Sequence, residues 1–189
     1  MSRLLVRASL VVALAGLTLA APASATRVRP SELVLRQADV PAHYLLDRDN
    51  TMAITYAQLV RRREAPKIMT TSGLVAGYIT KYRNTDPPRW RDISSIAYLF
   101  RRPQGAASYL AWMKHALEHQ NGPKFRRNPT AIGAEGWVYT ARSLDTGTLV
   151  LWRYGRVVAL LACQEMTSHR SLALSLARKQ QRRIAGALR

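Results

Sequence analysis

Two histidines and a glutamate lie close together at residues 115–119, which read H-x-x-E-H. On a helix, residues four apart share one face, so both imidazoles could bind zinc while Glu118 acts as a base. This spelling is that of the inverted zinc-peptidase motif, which also needs a further acidic ligand on a later helix. The last carboxylate in the chain is Glu165, at the predicted end of a strand. We therefore interpret residues 115–119 as an exposed polar helix face, with adventitious metal binding by His115 and His119 as the alternative.

The rest of the sequence offers no further catalytic or cofactor motif. There is no G-x-S-x-G elbow, and Asp47 and Asp49 belong to a polar loop. Cys163 is the only cysteine and ends an apolar run, which favours a buried small hydrophobe over a nucleophile. Gly73 and Gly77 lie within a strand pattern, which is the wrong context for a phosphate-binding loop. We predict no catalytic residue and no cofactor.

Four aromatic residues occur on two adjacent predicted strands. Because side chains alternate along a strand, Trp137 and Tyr139 share a face, and so do Trp152 and Tyr154. If that face lies opposite the helices, it forms an open platform with Arg153 at its edge, suited to a lipid, glycan or peptide. The alternative is ordinary core packing.

Basic residues outnumber acidic ones, with 29 Lys and Arg against 11 Asp and Glu and a net charge of +18 at pH 7. A field of this sign concentrates anionic partners, which outside the cytoplasm are lipid headgroups and acidic wall polymers. The absence of nucleic-acid-binding signatures argues against nucleic acid as the partner. The alternative is a solvated basic surface without a specific partner. The clusters comprise Arg61, Arg62, Arg63, Lys124, Arg126, Arg127, Arg182 and Arg183.

Five segments of the chain have the alternation or the continuous apolar character of β-strands. They are residues 73–82, 93–100, 136–142, 148–154 and 157–163. The last of them is apolar throughout, which is typical of a strand covered on both faces or centrally placed. Residues 124–130 are interpreted as a basic loop.

Two longer segments have helical periodicity. The first begins at Pro103 and carries an apolar stripe until a stop signal at residues 121–123. The second spans residues 168–188, with an inward line formed by Ala173, Leu176, Gln180, Ile184 and Leu188.

The order of these elements, β-β-α-β-β-β-α, predicts an α+β fold. We expect an antiparallel sheet of about five strands with helices packed on one face. Residues 26–72 are expected to form an N-terminal arm with short helices that packs on a single α+β domain of residues 73–189. No oligomeric state follows from the pattern.

The first 25 residues have the organisation of a secretory signal peptide. Arg3 and Arg7 precede the apolar run of residues 8–20, and residues 23–25 form a small-x-small cleavage site. We expect cleavage after Ala25 and a secreted, extracytoplasmic protein without a second membrane span, an uncleaved anchor being the alternative. Removal of the two leader arginines leaves 27 basic and 11 acidic residues, a net charge of +16.

Several short motifs occur together in a fixed order, at residues 38–41, 73–78, 96–105, 152–158 and 176–180. In this order they resemble small uncharacterised exported domains of high-GC, actinobacterial-type bacteria. Those domains are similar to the extracellular sensor domains of bacterial Ser/Thr kinases. The resemblance implies a fold rather than a role, and it carries no catalytic residue to this chain.

The sequence therefore predicts an exported, non-enzymatic, envelope-associated domain that binds an anionic or amphipathic ligand, an anionic wall polymer or lipid headgroups. Two alternatives stay open. One is a metal-dependent hydrolase that uses the H-x-x-E-H segment, and the other is a structural or interaction protein whose sheet edge recruits a partner.

Overall fold

Eight strands build one antiparallel sheet in the computed structural model, which describes residues 28–55, 67–85, 92–119, 125–141, 147–164 and 170–189. The strands are β1 Tyr44–Leu46, β2 Met52–Ile54, β3 Leu74–Asn84, β4 Asp92–Phe100, β5 Phe125–Pro129, β6 Glu135–Ala141, β7 Thr148–Tyr154 and β8 Val157–Gln164. Seven of them follow the order β1-β3-β4-β8-β7-β6-β5, and β2 also pairs with β3. The central strand is thus β8, the one that the sequence marks as apolar throughout.

The predicted α+β class and the antiparallel sheet are confirmed, and the five predicted strands correspond to β3, β4, β6, β7 and β8. The strand count of about five is too low. The three additional strands are short and lie at the two edges of the sheet, where a strand needs little apolar pattern.

The interpretation of residues 124–130 as a loop is wrong for residues 125–129, which form β5. Arg126, Arg127 and Asn128 have no strand-like alternation, and pairing with β6 over five residues decides their conformation. Pro129 is compatible with the strand because β5 is an edge strand.

In the described residues, three α-helices and two 3₁₀ helices accompany the sheet. The α-helices are α1 Lys67–Thr71, α2 Pro103–His119 and α3 Arg170–Ala187, and the 3₁₀ helices are Pro30–Glu32 and Gln37–Asp39. Pro103 begins α2, as the sequence predicts. No helix in the described ranges is both long enough and apolar enough to span a membrane.

The two long helices cover opposite faces of the sheet, so the expectation that all helices pack on one face is wrong. Along β8, Val157, Ala159 and Leu161 belong to the core beneath α3, whereas Val158 and Leu160 belong to the core beneath α2. A strand that is apolar on both sides needs a cover on both sides.

The N-terminal segment, residues 28–40, is built into the core beneath α3. Leu33, Val34 and Leu35 are no more than 1% exposed, although they belong to no strand. Their backbone groups are hydrogen-bonded by side chains of the sheet. The N–H of Leu35 donates to Ser95 Oγ at 3.0 Å, and the hydroxyl of Tyr82 donates to the carbonyl of Leu35 at 2.6 Å.

Side chains of α3 complete the satisfaction of this segment. Gln180, which is fully buried, donates from Nε2 to the carbonyl of Leu33 at 3.2 Å. Arg183 donates from Nε to the carbonyl of Val34 at 2.8 Å. Each buried carbonyl thus has a partner, and this is what allows an irregular segment to lie in a core.

Candidate functional site

The outward side of α3 carries arginines with no acidic partner. Its inward side buries Ala173, Leu176 and Ile184, and the opposite side exposes Arg178 and Arg182. Neither arginine forms an ion pair with another residue that the structure describes. The sequence contains no acidic residue after Glu165, so α3 has no internal carboxylate to balance them.

Local helix energetics do not account for these two charges. Arg178 and Arg182 are four residues apart, and like charges at this spacing destabilise a helix by about 0.2–0.5 kcal/mol. Both precede the last turn of α3, where a cation would be favoured by the helix dipole. The pair therefore makes a small unfavourable contribution to the stability of the helix.

The N-terminal segment adds two more exposed arginines beside α3, Arg29 and Arg36. We call Arg29, Arg36, Arg178 and Arg182 the basic face. Within the N-terminal segment and α3 together there are seven Lys or Arg residues and two acidic ones, Glu32 and Asp39. A layer with this imbalance attracts anions over a surface rather than at one point.

Arg183, a predicted surface cation, has a mainly structural role instead. Besides its bond to the N-terminal segment, its guanidinium lies 3.5 Å from the carboxylate of Asp39. Lys179 also points to this segment, donating from Nζ to the carbonyl of Asp39 at 2.6 Å. Of the two arginines predicted on the last helix, only Arg182 is free for an external anion.

The other predicted basic clusters are spread over the molecule. Arg126 and Arg127 are exposed on the edge strand β5, and Arg127 pairs with Glu118 at 2.6 Å. These positions lie on β5 at one edge of the sheet, whereas α3 packs on β7 and β8. Residues 61–63 and Lys124 lie outside the described residues.

The four aromatic residues do not share an open face. Gly136 and Trp152 are register partners, as are Trp137 and Leu151, so the two tryptophans point to opposite sides of the sheet. Trp152 is fully buried beneath α3, and its Nε1 donates to Gln181 Oε1 at 2.7 Å. The condition for a platform, a face without helices, is not met.

On the α2 side, Tyr139 is buried and Trp137 is half-buried. The ammonium of Lys114 lies 5.2 Å from the ring centroid of Trp137, and Glu118 lies 3.4 Å from the hydroxyl of Tyr139. Burial, with the charge of Glu118 as a second cause, raises the pKa of Tyr139 above its ordinary value. These contacts fasten the end of α2 to β6.

Arg153 and Tyr154 lie at the end of β7, away from an aromatic cluster. Arg153 pairs with Glu135 at 3.0 Å, and its side chain is 17% exposed. Tyr154 is 37% exposed and begins the hairpin turn to β8, where Gly155 has a φ of 54°.

His115 and His119 lie on the exposed side of α2 with their rings stacked, 4.1 Å between centroids. Nδ1 of His119 lies 3.0 Å from the carbonyl oxygen of His115, and Glu118 is engaged by Arg127. Nowhere in the described ranges do three His, Cys, Asp or Glu side chains converge as a metal site would require. Metal binding by the two histidines stays a prediction.

Sequence reasoning missed the exposed leucines of β1. Leu45 is 53% exposed and Leu46 is 37% exposed, two of the four large hydrophobic residues exposed in the described part of the chain. We call this pair the leucine edge. The signal was an apolar pair directly before the polar turn of residues 47–50, too short for a periodicity argument.

A shallow groove of about 330 Å³ runs along the leucine edge, and Arg48, Arg83 and Asp49 contribute to its lining. Asp47 shapes the adjoining turn. Hydrogen bonds from Asn50, with the charges of Arg83 and Lys81, outweigh burial and lower the pKa of Asp47. The carboxylate of Asp47 lies 2.9 Å from Arg83, so it neutralises that arginine in part.

Comparison with known proteins finds a distant structural similarity. No family model and no curated protein matches the chain. Among solved structures, the fold is similar to the extracellular domain of PknH from Mycobacterium tuberculosis, with a TM-score of 0.47 and 11% sequence identity, over 82% of this chain and 95% of that one. At this level of similarity the comparison assigns no role and transfers no functional residue to this chain.

Proposed function

We propose that this protein is an exported, non-enzymatic binding domain that holds an anionic component of the cell envelope on its basic face. The observation that carries the proposal is the exposed pair Arg178 and Arg182, four residues apart on a helix without acidic residues. The ligand chemistry is a repeated phosphate or carboxylate, as lipid headgroups and acidic wall polymers present it.

The support is electrostatic and geometric. Each arginine or lysine near an anionic surface contributes about 1 kcal/mol of attraction, so several together are needed for stable association. The basic face offers four exposed arginines, two on α3 and two on the N-terminal segment that packs against it, while the ion pairs elsewhere leave Arg83, Arg127 and Arg153 already engaged.

Charge reversal on α3 tests this proposal. We expect Arg178→Glu/Arg182→Glu to weaken binding to anionic vesicles by about tenfold or more, because two attractive contacts become repulsive. Sedimentation with vesicles of equimolar phosphatidylglycerol and phosphatidylcholine, at two salt concentrations, measures the effect. Wild-type binding should weaken as salt rises.

The matched control is Arg101→Glu/Arg102→Glu, at two exposed arginines that precede α2 on the opposite layer. It changes the net charge equally and should leave most of the binding intact. Equal losses in both double variants, or wild-type binding that salt does not weaken, would contradict a specific basic face.

Export is the second part of the proposal, and it is supported by the organisation of residues 1–25. The intact mass of the protein recovered outside the cytoplasm tests it directly. A chain that begins at Thr26 is the expected result, and a retained leader contradicts cleavage.

A further inference from the structure

We propose that the partner of the basic face is an anionic lipid bilayer, and that the leucine edge enters its interface. This inference rests on the proposed function and names its partner. A soluble polyanion needs only the arginines, whereas the exposed pair Leu45 and Leu46 gains nothing from such a partner. A bilayer interface uses both kinds of group.

The geometry of β1 suits an edge-on approach to lipid. Leu45 pairs with Arg83 and Leu46 with Tyr82, so the two leucines point to opposite sides of the same edge strand. Both flank the free rim of the sheet rather than one face. Insertion of this rim therefore removes both leucine side chains from water at once.

An edge strand normally cannot enter an apolar region, because its outward backbone groups lack partners. Here Gln37 supplies partners for two of these groups. Its Nε2 donates to the carbonyl of Tyr44 at 2.6 Å, and its Oε1 accepts from the N–H of Leu46 at 3.0 Å. The N–H of Tyr44 donates to the carbonyl of Pro41 at 2.9 Å. The rim thus keeps these hydrogen bonds while water is excluded.

The charges around the leucine edge fit an interfacial depth. Arg36 and Arg48 are exposed beside it, and long arginine side chains can extend to headgroups while their stems stay in contact with apolar surface. Asp49 is the exposed acid beside them, and Asp47 is paired with Arg83. The apolar rim therefore has cations on its borders, as interfacial segments do.

The leucine edge is continuous with the basic face through the N-terminal segment. Gln37 holds β1, and two residues further Asp39 accepts from Lys179 and lies beside Arg183 of α3. Arg36, a member of the basic face, directly precedes Gln37. The N-terminal segment therefore connects the two surfaces, and the proposal requires that one bilayer reach both.

Variants of the leucine edge test this inference separately from the basic face. We expect Leu45→Ser/Leu46→Ser to bind phosphatidylglycerol–phosphatidylcholine vesicles about tenfold more weakly, since two apolar side chains no longer leave water. The matched control Val75→Ser/Tyr154→Ser removes the other two exposed hydrophobic residues and should bind like wild type. Vesicles of phosphatidylcholine alone should bind none of these proteins, which also excludes a retained leader.

A depth measurement gives the second readout. An environment-sensitive fluorophore on Leu45→Cys should shift its emission to shorter wavelength on anionic vesicles, and the same label on Val75→Cys should not. Cys163 is buried and stays unlabelled in the folded protein. The bilayer inference is overturned by equal emission at both sites, by unchanged binding of Leu45→Ser/Leu46→Ser, or by binding to a soluble anionic polymer but not to vesicles. In each of these cases, weaker binding of Arg178→Glu/Arg182→Glu to the anionic vesicles, or to the polymer where only the polymer binds, still supports the proposed function.

Discussion

Gln180 joins three parts of the molecule through one side chain. It lies on α3, is fully buried, and donates from Nε2 to the carbonyls of Leu33 and Ile96 at 3.2 and 3.1 Å. A buried amide costs free energy unless it is hydrogen-bonded, and here the bonds hold the N-terminal segment and β4 together. At the scale of residues, polar contacts of this kind decide where the irregular segment lies.

We expect Gln180→Met to lower the free energy of unfolding by about 1–3 kcal/mol, because it leaves the buried carbonyl of Leu33 without its donor. Chemical denaturation measures the loss. Ser175→Met, on the exposed side of the same helix, is the control and should change stability by no more than about 0.5 kcal/mol. A Gln180→Met protein as stable as wild type would show that the amide does not hold the segment.

Trp152 and Tyr154, two residues apart on β7, differ in how far their side chains are buried. Trp152 is fully buried, whereas Tyr154 is 37% exposed. We expect Trp152→Ala to cost about 3–5 kcal/mol of stability through cavity formation. Tyr154→Ala should cost about 0.5 kcal/mol or less, as surface changes do. Thermal unfolding of the two variants side by side checks the placement, and similar losses in both would contradict it.

At the scale of elements, the two edges of the sheet are protected differently. β5 carries Arg126, Arg127 and Pro129, charges and a proline that discourage pairing with another chain. β1 is apolar and depends on the side chain of Gln37 for protection. A single amide thus takes the place of a neighbouring strand.

We expect Gln37→Ala to promote self-association, because it frees the carbonyl of Tyr44 and the N–H of Leu46 for another strand. Sedimentation velocity over a range of protein concentrations measures this effect, with Gln104→Ala at the start of α2 as the control. Monomeric behaviour of Gln37→Ala equal to that of the control would refute a protective role.

The elements also show how far the sequence predicted the fold. The five long strands and both long helices follow from alternation, apolar stripes and the stop signals around them. β1, β2 and β5 could not be predicted, because three to five residues carry too little pattern and their pairing partners supply the stability. The placement of the two long helices on opposite faces could not be predicted for another reason. The apolar run of β8 is compatible with cover on both faces, but it does not show which elements provide that cover.

At the scale of the whole molecule, both cores contain buried or partly buried tyrosines. Tyr82 lies beneath α3, and Tyr98, Tyr109 and Tyr139 lie on the α2 side. Burial is the first cause that raises the pKa of each of these four phenols above the ordinary value of 10.0. The folded protein therefore favours their neutral forms.

Because these pKa values are raised, the free energy of unfolding depends on pH in the alkaline range. The pKa of each of these phenols is higher in the folded protein than in the unfolded chain, where it is about 10. Their full contribution to the free energy of unfolding is therefore present below about pH 10, and it is lost as the pH rises towards the pKa values of the folded protein. A titration followed by phenolate absorbance and circular dichroism together should show these phenols ionising only as the protein unfolds. Ionisation of all tyrosines near pH 10 with the fold intact would contradict their burial.

The sequence by itself determined the properties that are local or additive: the signal-peptide pattern of residues 1–25, the excess of basic charge, and the periodic strands and helices. Only the tertiary structure decided which of those residues are exposed and which are buried or engaged in structural contacts. Trp152 is buried in the core, Arg183 binds the N-terminal segment, and the two leucines of the leucine edge are exposed. The physical reason is distance along the chain, since partners such as Gln180 and Leu33 are 147 residues apart. Neither periodicity nor composition shows which distant segments of the chain will contact each other.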